Sequence, residues 1–440
     1  MTQPRALRPV PDPLGCYLRP GRNDHKVLLQ MLVDGLNVGT GLVADPVLQA
    51  RQGDLMSEAR RLGVETVLDP RTVDLSTPGG VSRSGVIDLP WAGQVPHTPQ
   101  LLAGTAGRML SHQIAASVAS GGYSAVLAPT HAIDGPSDPW VQVDRNLTHL
   151  LRAELNALGQ REVLIYYPLV TRSAALTSTE AREHTVEMLA GLPIDAVWLR
   201  LHPFGTATAG PLALRRYLET CRALHSLGLP LVAEHSGTVG VALLAFGAVG
   251  GIESGITLGE QVDLTTMLRP PKPDAKPFTP APRVYLHSIG AFVDVDAAVS
   301  LFDARGMKTL HGCRNTQCCP RGWLDMRLDP RRHFIGHRAR EVAHLSGMPE
   351  SLRAGQYLEN FLRPASDRAV RSAEVAFRRA VGWIHGAGLS ALSWAGIPAS
   401  PSARRQLGSV SGEAHDRCIE DADMIHEHAD RSAHYERKSH

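Results

Sequence analysis

The stretch from Leu231 to Glu253 reads Leu-Val-Ala-Glu-His-Ser-Gly-Thr-Val-Gly-Val-Ala-Leu-Leu-Ala-Phe-Gly-Ala-Val-Gly-Gly-Ile-Glu. The short apolar run Leu231–Glu234 predicts a buried strand, and the longer run Val239–Phe246 predicts a helix. A second short run, Ala248–Ile252, predicts the next strand. Because the apolar runs are continuous rather than alternating, both strands are expected in a parallel sheet that is covered on both faces.

The same alternation of short and long apolar runs extends through most of the chain. The predicted strands are Lys26–Val33, Glu65–Leu68, Ser124–Ala128, Glu162–Tyr167, Ala196–Leu201, Leu231–Glu234, Ala248–Ile252 and Arg283–Ser288. About eight strand–helix repeats are typical of a (β/α)8 TIM barrel. A doubly wound open sheet is the alternative, but the glycines of Gly35–Gly41 lack dinucleotide-binding spacing, and there is no P-loop.

The order of these segments predicts four regions. Residues 1–24 are an N-terminal extension, 25–305 the α/β barrel, 306–398 a zinc-binding subdomain with a helical extension, and 399–440 a polar, disordered tail. The proline-rich segment Pro270–Pro282 is expected to be an extended connector. The N-terminus lacks the apolar core of a signal peptide, so a cytoplasmic protein without a membrane segment is expected.

The composition is that of an ordinary globular protein. The 440 residues are 43% hydrophobic and 20% charged, with a net charge of +2 that does not indicate a particular partner. Aromatic residues make up only 5%, which argues against an extended surface for stacking single-stranded bases.

Three of the six cysteines fall within the segment His311-Gly-Cys313-Arg-Asn-Thr-Gln-Cys318-Cys319. A group of thiols followed by helical histidines is typical of a tetrahedral structural zinc site. The predicted ligands are Cys313, Cys318, Cys319 and His333. His337 is the second choice of histidine, and His311 and His344 are also within reach. The alternative interpretation is three buried free cysteines.

Active sites of such barrels lie at the carboxyl ends of the strands, so the polar residues that close each apolar run are the site candidates. They are Asp34, Asn37, Asp69, Arg71, Asp74, His131, Asp134, His202, Glu234, His235, Glu253 and His287. Gly250 and Gly251 next to Glu253 would let a flat ligand approach the backbone. A carboxylate paired with Arg200 is the alternative role for Glu253. Neither a Gly-x-Ser-x-Gly elbow nor a His-Glu-x-x-His motif is present.

A barrel followed by Cys313, Cys318, Cys319 and then His333-Phe-Ile-Gly-His-Arg-Ala-Arg-Glu341 resembles the tRNA-guanine transglycosylase superfamily, which includes relatives that insert 7-deazaguanines into DNA. The cysteine spacing differs from the Cys-x-Cys-x-x-Cys of that superfamily. The resemblance implies a pentosyltransferase that exchanges guanine for a deazapurine base in tRNA or DNA. Glu253 would be the nucleophile that forms a covalent bond to C1′, and Asp69 the acid and base.

The resemblance assigns the remaining candidates to substrate binding. His202, Glu234 and His235 would shape the base pocket, and Arg71, His131, Gly250 and Gly251 would also bind substrate. Structural zinc would hold the segment that binds the polynucleotide. Arg331, Arg332, Arg338 and Arg340 would contact phosphates, although such runs are also common on solvated faces. The resemblance also implies a homodimer, because members of this superfamily often pair through their zinc regions.

Two other classes of function stay open. One is a TIM-barrel lyase, aldolase or glycosidase that acts on a small molecule and uses zinc only as a structural clasp. The other is an inactive, transglycosylase-like protein that binds nucleic acid.

Overall fold

The computed structural model describes residues 14–205, 210–257, 264–270 and 282–386. The chain divides into two compact units. The first, the barrel unit, comprises Met1–Thr279 and Ile335–Met348, and the second, the C-terminal unit, comprises Pro280–Phe334 and Pro349–His440. The predicted tail, 399–440, and most of the predicted connector, 271–281, lie outside the described residues.

The described strands are mostly short. They are β1 (Gly15–Arg19), β2 (Gly41–Ala44), β3 (Glu65–Leu68), β4 (Ala125–Leu127), β5 (Ala132–Ile133), β6 (Leu164–Arg172), β7 (Ala196–His202), β8 (Leu231–Glu234), β9 (Gly251–Gly255), β10 (Arg283–Leu286) and β11 (Ala291–Asp294). The first nine form one sheet in the barrel unit, and β10 and β11 form a hairpin in the C-terminal unit.

The nine-stranded sheet closes on itself. Strand β1 pairs in parallel with β2 on one side and with β9 on the other, and β4 pairs in parallel with β6. Strand β5 pairs with the later part of β6, so β4 and β5 occupy one position that is interrupted at residues 128–131. The ring therefore has eight positions, which confirms the predicted (β/α)8 barrel.

Helices separate the strands. They are α1 (His25–Val33), α2 (Gln49–Arg61), α3 (Thr72–Leu75), α4 (Pro78–Val81), α5 (Pro99–Leu102), α6 (Thr105–Gly121), α7 (Trp140–Ala157), α8 (Thr179–Leu189), α9 (Pro211–Leu224), α10 (Thr238–Ala245), α11 (Leu264–Leu268), α12 (Val295–Phe302), α13 (Met307–His311), α14 (Trp323–Leu328), α15 (Pro330–Ser346), α16 (Glu350–Tyr357) and α17 (Arg363–Gly386). A π-helical turn, Leu358–Leu362, lies between α16 and α17. None of the described helices is both long enough and apolar enough to cross a membrane.

Large side chains fill the interior of the barrel. Trp198, Tyr166 and Tyr17 contact one another, with ring centroids 5.0 to 6.4 Å apart. Val43 and Val67 from the neighbouring strands pack into the same cluster. As in other small barrels, the centre is a packed core, and a substrate can enter only at an end of the barrel.

The prediction of a strand at Lys26–Val33 is wrong, because this segment is helix α1. Leu28, Met31 and Leu32 are buried at helical spacing, whereas Val33 is 63% exposed. The first barrel strand is instead β1, in which Cys16 and Leu18 are buried and the alternate residues Gly15, Tyr17 and Arg19 are partly exposed. The barrel therefore begins before residue 25, inside the predicted extension. Asp34 and Asn37 follow a helix and are not strand-end residues.

The prediction that Arg283–Ser288 is the eighth barrel strand is also wrong. Arg283–Leu286 pairs antiparallel with Ala291–Asp294 in the hairpin of the C-terminal unit. This unit begins at Pro280 rather than at residue 306. The six other predicted strands overlap with barrel strands, and Glu65–Leu68 and Leu231–Glu234 agree at both ends.

Candidate functional site

The carboxyl ends of four barrel strands meet around the side chain of Arg19, the last residue of β1. Its Nε donates to Glu253 Oε1 at 2.8 Å, and its Nη2 donates to Glu234 Oε1 at 2.9 Å. Nη1 forms an ion pair with Asp69. Arg200 on β7 forms a second ion pair with Glu234. We call these five residues the Arg19 cluster.

The cluster holds Asp69 and Glu234 in the charged form. Burial alone would raise the pKa of Asp69, but Arg19, Arg200 and Arg71 outweigh it and lower that pKa to about 2. Burial likewise opposes the charge on Glu234, whose pKa is nevertheless lowered, mainly by Arg200 and Arg19. The side chains of Glu234 and Glu253 are fully buried. Three carboxylates therefore share two guanidinium groups inside the protein, which leaves an excess of negative charge.

His235 lies directly against this cluster. Its backbone N–H donates to the Glu253 carbonyl oxygen at 3.0 Å, and its ring Nδ1 lies 3.5 Å from Glu253 Oε2. Burial lowers the pKa of His235, although Glu253 and Glu234 oppose this shift. The imidazole is therefore neutral at pH 7 and does not cancel the excess negative charge.

Two polar atoms of the cluster face no protein partner. Glu234 Oε2 and Arg200 Nε are buried and accept or donate no hydrogen bond within the described part of the chain. Buried polar atoms are rarely left unsatisfied in a protein interior, so these two atoms indicate where a ligand would bind. One ligand atom each from Glu234, His235 and Glu253 would fit within 4.8 Å of one another, as a metal site requires. Arg19 already binds both carboxylates, however, and its charge opposes a divalent ion there.

Backbone strain is concentrated at the same end of the barrel. Among the described residues, three that are not glycine have a positive φ: Arg71 at 59°, His235 at 51° and Thr257 at 59°. They follow β3, β8 and β9, each within three residues of the end of the strand. Side chains other than glycine adopt this conformation at a cost of about 1–3 kcal/mol, and such residues cluster at active sites.

Arg71 is predicted to bind substrate, but its guanidinium already pairs with protein carboxylates. Nη1 lies 2.5 Å from Asp45 Oδ2, and Nε lies 2.7 Å from Asp74 Oδ2. Its backbone N–H donates to Asp69 Oδ1 at 2.8 Å. The structure therefore brings Arg71 to the edge of the Arg19 cluster, where it orients Asp69.

The structure does not bring three of the predicted substrate-binding residues into the Arg19 cluster. His202 makes hydrogen bonds to Thr265 Oγ1 at 3.0 Å and to the backbone N–H of Leu264 at 3.3 Å. Gly250 and Gly251 lie at the amino end of β9, away from the strand ends that carry the cluster. A Cβ at Gly251 would lie 3.1 Å from Val232 Cγ2, so this glycine permits strand packing.

His131 lies at the carboxyl end of the barrel, in the interruption between β4 and β5. Its Nδ1 is 2.6 Å from Asp144 Oδ1 on α7, and its backbone N–H donates to Asp144 Oδ2 at 2.9 Å. Sequence reasoning missed Asp144 because it lies within a helix rather than at the end of a strand. It also missed Arg19, although the alternation of Cys16 and Leu18 before Arg19-Pro20-Gly21 is a signal for a strand end.

The C-terminal unit brings the predicted metal ligands together. Cys313 Sγ and Cys318 Sγ are 3.6 Å apart, and Cys319 Sγ lies 3.2 Å from His333 Nδ1. All four residues are buried. Two sulfurs bound to one tetrahedral zinc ion at 2.3 Å each would be about 3.8 Å apart. Cys313, Cys318 and His333 each offer a ligand atom within 4.8 Å of one another, so these three of the four predicted ligands can hold a metal ion.

The surroundings of His333 favour this role. Its Nε2 lies 2.9 Å from the carbonyl oxygen of Tyr285, which fixes a proton on Nε2 and leaves the Nδ1 lone pair facing the sulfurs. Hydrogen bonds with the thiols of Cys313 and Cys318 raise the pKa of Cys319, and burial and the charge of these two neighbours add to the shift. His311 is bound by two hydroxyl groups, Ser288 Oγ at 2.6 Å and Ser372 Oγ at 2.8 Å, and His344 is exposed.

One of the predicted phosphate contacts is wrong. Arg338 is buried within the barrel unit, where Nη1 lies 3.2 Å from Glu341 Oε2 and Nη2 lies 3.2 Å from Thr238 Oγ1. A guanidinium in this position cannot reach a polynucleotide. Arg331 and Arg332 are partly exposed, and Arg340 is exposed.

No family model and no curated protein matches the chain. Solved structures that it resembles include an HpcH/HpaI aldolase from Desulfitobacterium hafniense, with 12% identity over 56% of this chain and 87% of that one and a TM-score of 0.32. A GH26 β-mannanase from Bacteroides ovatus has 13% identity over 59% and 85% of the two chains and a TM-score of 0.35. The 3-dehydroquinate dehydratase from Enterococcus faecalis has 10% identity over 59% and 95% and a TM-score of 0.34. The assignment of the fold rests on the strand register, not on these likenesses.

Proposed function

We propose that the chain is a glycosyl-transferring enzyme that exchanges guanine for a 7-deazaguanine base in nucleic acid. The observation that carries the proposal is the group of three buried carboxylates, Asp69, Glu234 and Glu253, around Arg19. Breaking a glycosidic bond develops positive charge on the sugar, and buried negative charge stabilises it. Glu253 is the proposed nucleophile, as the resemblance to the transglycosylase superfamily implies.

The test is incorporation of labelled guanine by the purified full-length protein into tRNA, duplex DNA and single-stranded DNA. Glu253→Gln keeps the size of the side chain but removes the nucleophilic charge, so we expect exchange to fall at least about 1,000-fold. A covalent protein–nucleic acid adduct that survives denaturation should form with the wild type and not with this variant.

Glu65→Gln is the matched control. Glu65 is a partly buried carboxylate at the opposite, amino end of β3, and Tyr17 and Tyr166 hydrogen-bond to it. Its substitution perturbs the barrel without touching the Arg19 cluster, so exchange should persist. Full exchange by the Glu253→Gln protein would contradict the assignment of the nucleophile. Absence of exchange on all three polymers by the wild type would contradict the proposed function.

A second candidate is a barrel lyase or glycosidase that acts on a small molecule. The burial of Arg338 favours it, because the polynucleotide contact loses one of its four proposed cations. The salt dependence of binding separates the two candidates. Binding of a polynucleotide releases counterions, so its affinity should fall steeply between about 50 and 200 mM salt, whereas that of a neutral sugar should change little.

We further propose that the cluster of Cys313, Cys318, Cys319 and His333 binds one structural zinc ion. Such sites supply apparent folding free energies on the order of 10 kcal/mol. Cys318→Ser should therefore remove the stoichiometric zinc that elemental analysis detects in the wild type and lower the melting temperature. Cys221→Ser, which replaces a buried thiol of the barrel unit, is the control and should retain the metal. Unchanged zinc content in Cys318→Ser would contradict the site.

A further inference from the structure

Asp144 fixes the ring orientation and the tautomer of His131. One carboxylate oxygen lies 2.6 Å from His131 Nδ1, and the other accepts the backbone N–H of the same residue at 2.9 Å. Both side chains are almost completely buried, at 0% and 1% exposure. Since Asp144 binds Nδ1–H, the lone pair of a neutral His131 is on Nε2.

That second nitrogen is not used within the protein. His131 Nε2 is buried and has no hydrogen-bond partner among the described residues. The ring stacks on Trp140, with centroids 3.7 Å apart, and packs edge-on against His97 at 5.8 Å. Buried polar atoms are rarely left without a partner, and both ring nitrogens of the buried His311, for example, face hydroxyl groups.

Hydrogen bonds join the surroundings of His131 to the segment that carries Asp69. Thr72 Oγ1 donates to the carbonyl oxygen of Thr130, the residue before His131, at 2.6 Å. Trp91 Nε1 donates at 2.8 Å to the carbonyl oxygen of Pro70, the residue after Asp69, and the Trp91 carbonyl in turn lies 3.2 Å from His97 Nε2. The His131–Asp144 pair is therefore built into the same end of the barrel as the Arg19 cluster.

The cluster itself lacks a good group for proton transfer. Arginines hold the pKa of Asp69 at about 2, so at pH 7 this carboxylate carries no proton to donate and is a weak base. Glu234 is likewise held in the charged form by Arg200 and Arg19. The acid and base of a base-exchange reaction are therefore better sought in an imidazole at this end of the barrel than in Asp69 or Glu234, and Asp69 is better suited to stabilise positive charge.

We propose that His131 is the proton-transfer residue of the barrel and that Asp144 is its positioning residue. This inference rests on the proposed function. As the bond between C1′ and the departing base breaks, its electron pair goes to the base, which takes the proton from Nε2 of protonated His131. A Glu253 oxygen forms the new bond to C1′. The incoming base returns its N–H proton to Nε2 as its nitrogen attacks C1′, and the electrons of the ester bond return to Glu253.

The first test compares the buried His131–Asp144 pair with the exposed His112–Glu154 pair. Asp144→Asn keeps the shape of the side chain but no longer favours the Nδ1–H tautomer, and base exchange should fall at least about 100-fold. Glu154→Gln is the control, because Glu154 is on the same helix and binds His112 Nδ1 at 2.8 Å in an exposed pair. That variant should exchange at the wild-type rate. His131→Gln should lose exchange, and His112→Gln should not.

The pH profile separates a proton-transfer role from a structural one. In the wild type, the rate of base exchange should fall at low pH and at high pH, and both falls should depend on His131. Asp144→Asn should shift the pH at which they occur. Asp69→Asn should lower the rate without shifting either fall. The titratable groups that act on the pair are His97, Asp138 and Tyr167. Burial and His131 lower the pKa of His97 to about 4, Asp138 acts on Asp144, and burial and Asp144 raise the pKa of Tyr167.

A measurement that needs no substrate keeps this inference separate from the proposed function. Nitrogen-15 NMR of histidine-labelled protein should show neutral His131 with its proton on Nδ1. It should also show the ring gaining its second proton, on Nε2, as the pH falls while the protein stays folded. Asp144→Asn should shift the tautomer, and Glu154→Gln should not. A proton fixed on Nε2, or an Nε2 that never titrates, overturns the inference whether or not exchange occurs. Wild-type exchange without any effect of Asp144→Asn or His131→Gln overturns it as well.

Discussion

Strand β3 carries a carboxylate at each end, and the barrel treats the two in opposite ways. Glu65, the first residue of the strand, is bound by the hydroxyl groups of Tyr166 and Tyr17, at 2.5 and 3.1 Å. Asp69, directly after the strand, pairs with Arg19. Burial raises the pKa of Glu65, whereas Arg19, Arg200 and Arg71 outweigh burial and lower that of Asp69 to about 2.

The comparison shows how a barrel separates stability from chemistry. At the amino end, neutral hydroxyl donors bind a carboxylate beside the packed rings of Tyr17, Tyr166 and Trp198. At the carboxyl end, charges are buried in excess and backbone strain is concentrated. Within the described residues, Glu234 Oε2, Arg200 Nε and His131 Nε2 also lack a hydrogen-bond partner there. Stability of the fold requires none of these features. The carboxyl end is therefore where a ligand is expected to bind.

The largest expected effect comes from removing the cation at the carboxyl end. Arg19→Met would leave Asp69 and Glu253 without their guanidinium, and breaking a buried ion pair in this way costs about 3–5 kcal/mol. We therefore expect urea unfolding of the barrel to show a loss of about 4 kcal/mol. Arg61→Met is the control, because Arg61 binds Glu58 in an exposed pair and its loss should leave the unfolding curve unchanged. An Arg19→Met protein as stable as the wild type would contradict the ion-pair network.

The next expected effect is that Asp69 and Glu65 change the free energy of unfolding with pH in opposite directions. The pKa of Asp69 is about 2 in the folded protein against an ordinary value of 3.8, so it contributes about 2 kcal/mol of stability above pH 4. That contribution should be lost as the pH falls from about 4 to 2. The pKa of Glu65 is shifted upward, so its effect has the opposite sign, and its contribution falls as the pH rises through the range between its unfolded and folded values.

Urea unfolding between pH 2 and 6 would measure both signs. Asp69→Asn should flatten the acid loss of stability, whereas Glu65→Gln should leave that loss in place and remove the opposing slope. Parallel curves for the wild type and Asp69→Asn would show that Arg19 does not hold the charge of Asp69 as described.

The same comparison explains what the sequence could and could not predict. Continuous apolar runs such as Leu231–Glu234 identify buried parallel strands, and the acids that end them lie in the site. Strand β1 was missed because its side chains alternate between buried and partly exposed positions, while the apolar helix after it imitates a strand. With β1, the central Arg19 was missed too.

Ion-pair and hydrogen-bond partners that lie far apart in the sequence cannot be predicted from local sequence patterns. Arg200 was expected beside Glu253 but binds Glu234, because the closure of the sheet brings β1 rather than β7 next to β9. The pairing of His131 with Asp144 depends on how α7 packs against the interruption after β4. In contrast, Cys313, Cys318 and Cys319 are close in sequence, and their grouping could be predicted from spacing alone.

The smallest expected effect tests the amino end. Tyr166→Phe keeps the ring that stacks on Trp198 but removes the hydroxyl group from Glu65, which leaves Tyr17 as its hydroxyl donor at this site. Loss of one hydrogen bond to a partly buried carboxylate should cost about 1 kcal/mol in urea unfolding. Tyr17→Phe should cost less, since its hydroxyl group lies at 3.1 Å rather than 2.5 Å. Neither variant should change base exchange or the tautomer of His131, because both remove hydroxyl groups from the end of the barrel that we expect to be structural. A large loss of exchange in Tyr166→Phe with intact folding would mean that the two ends are not separate in function.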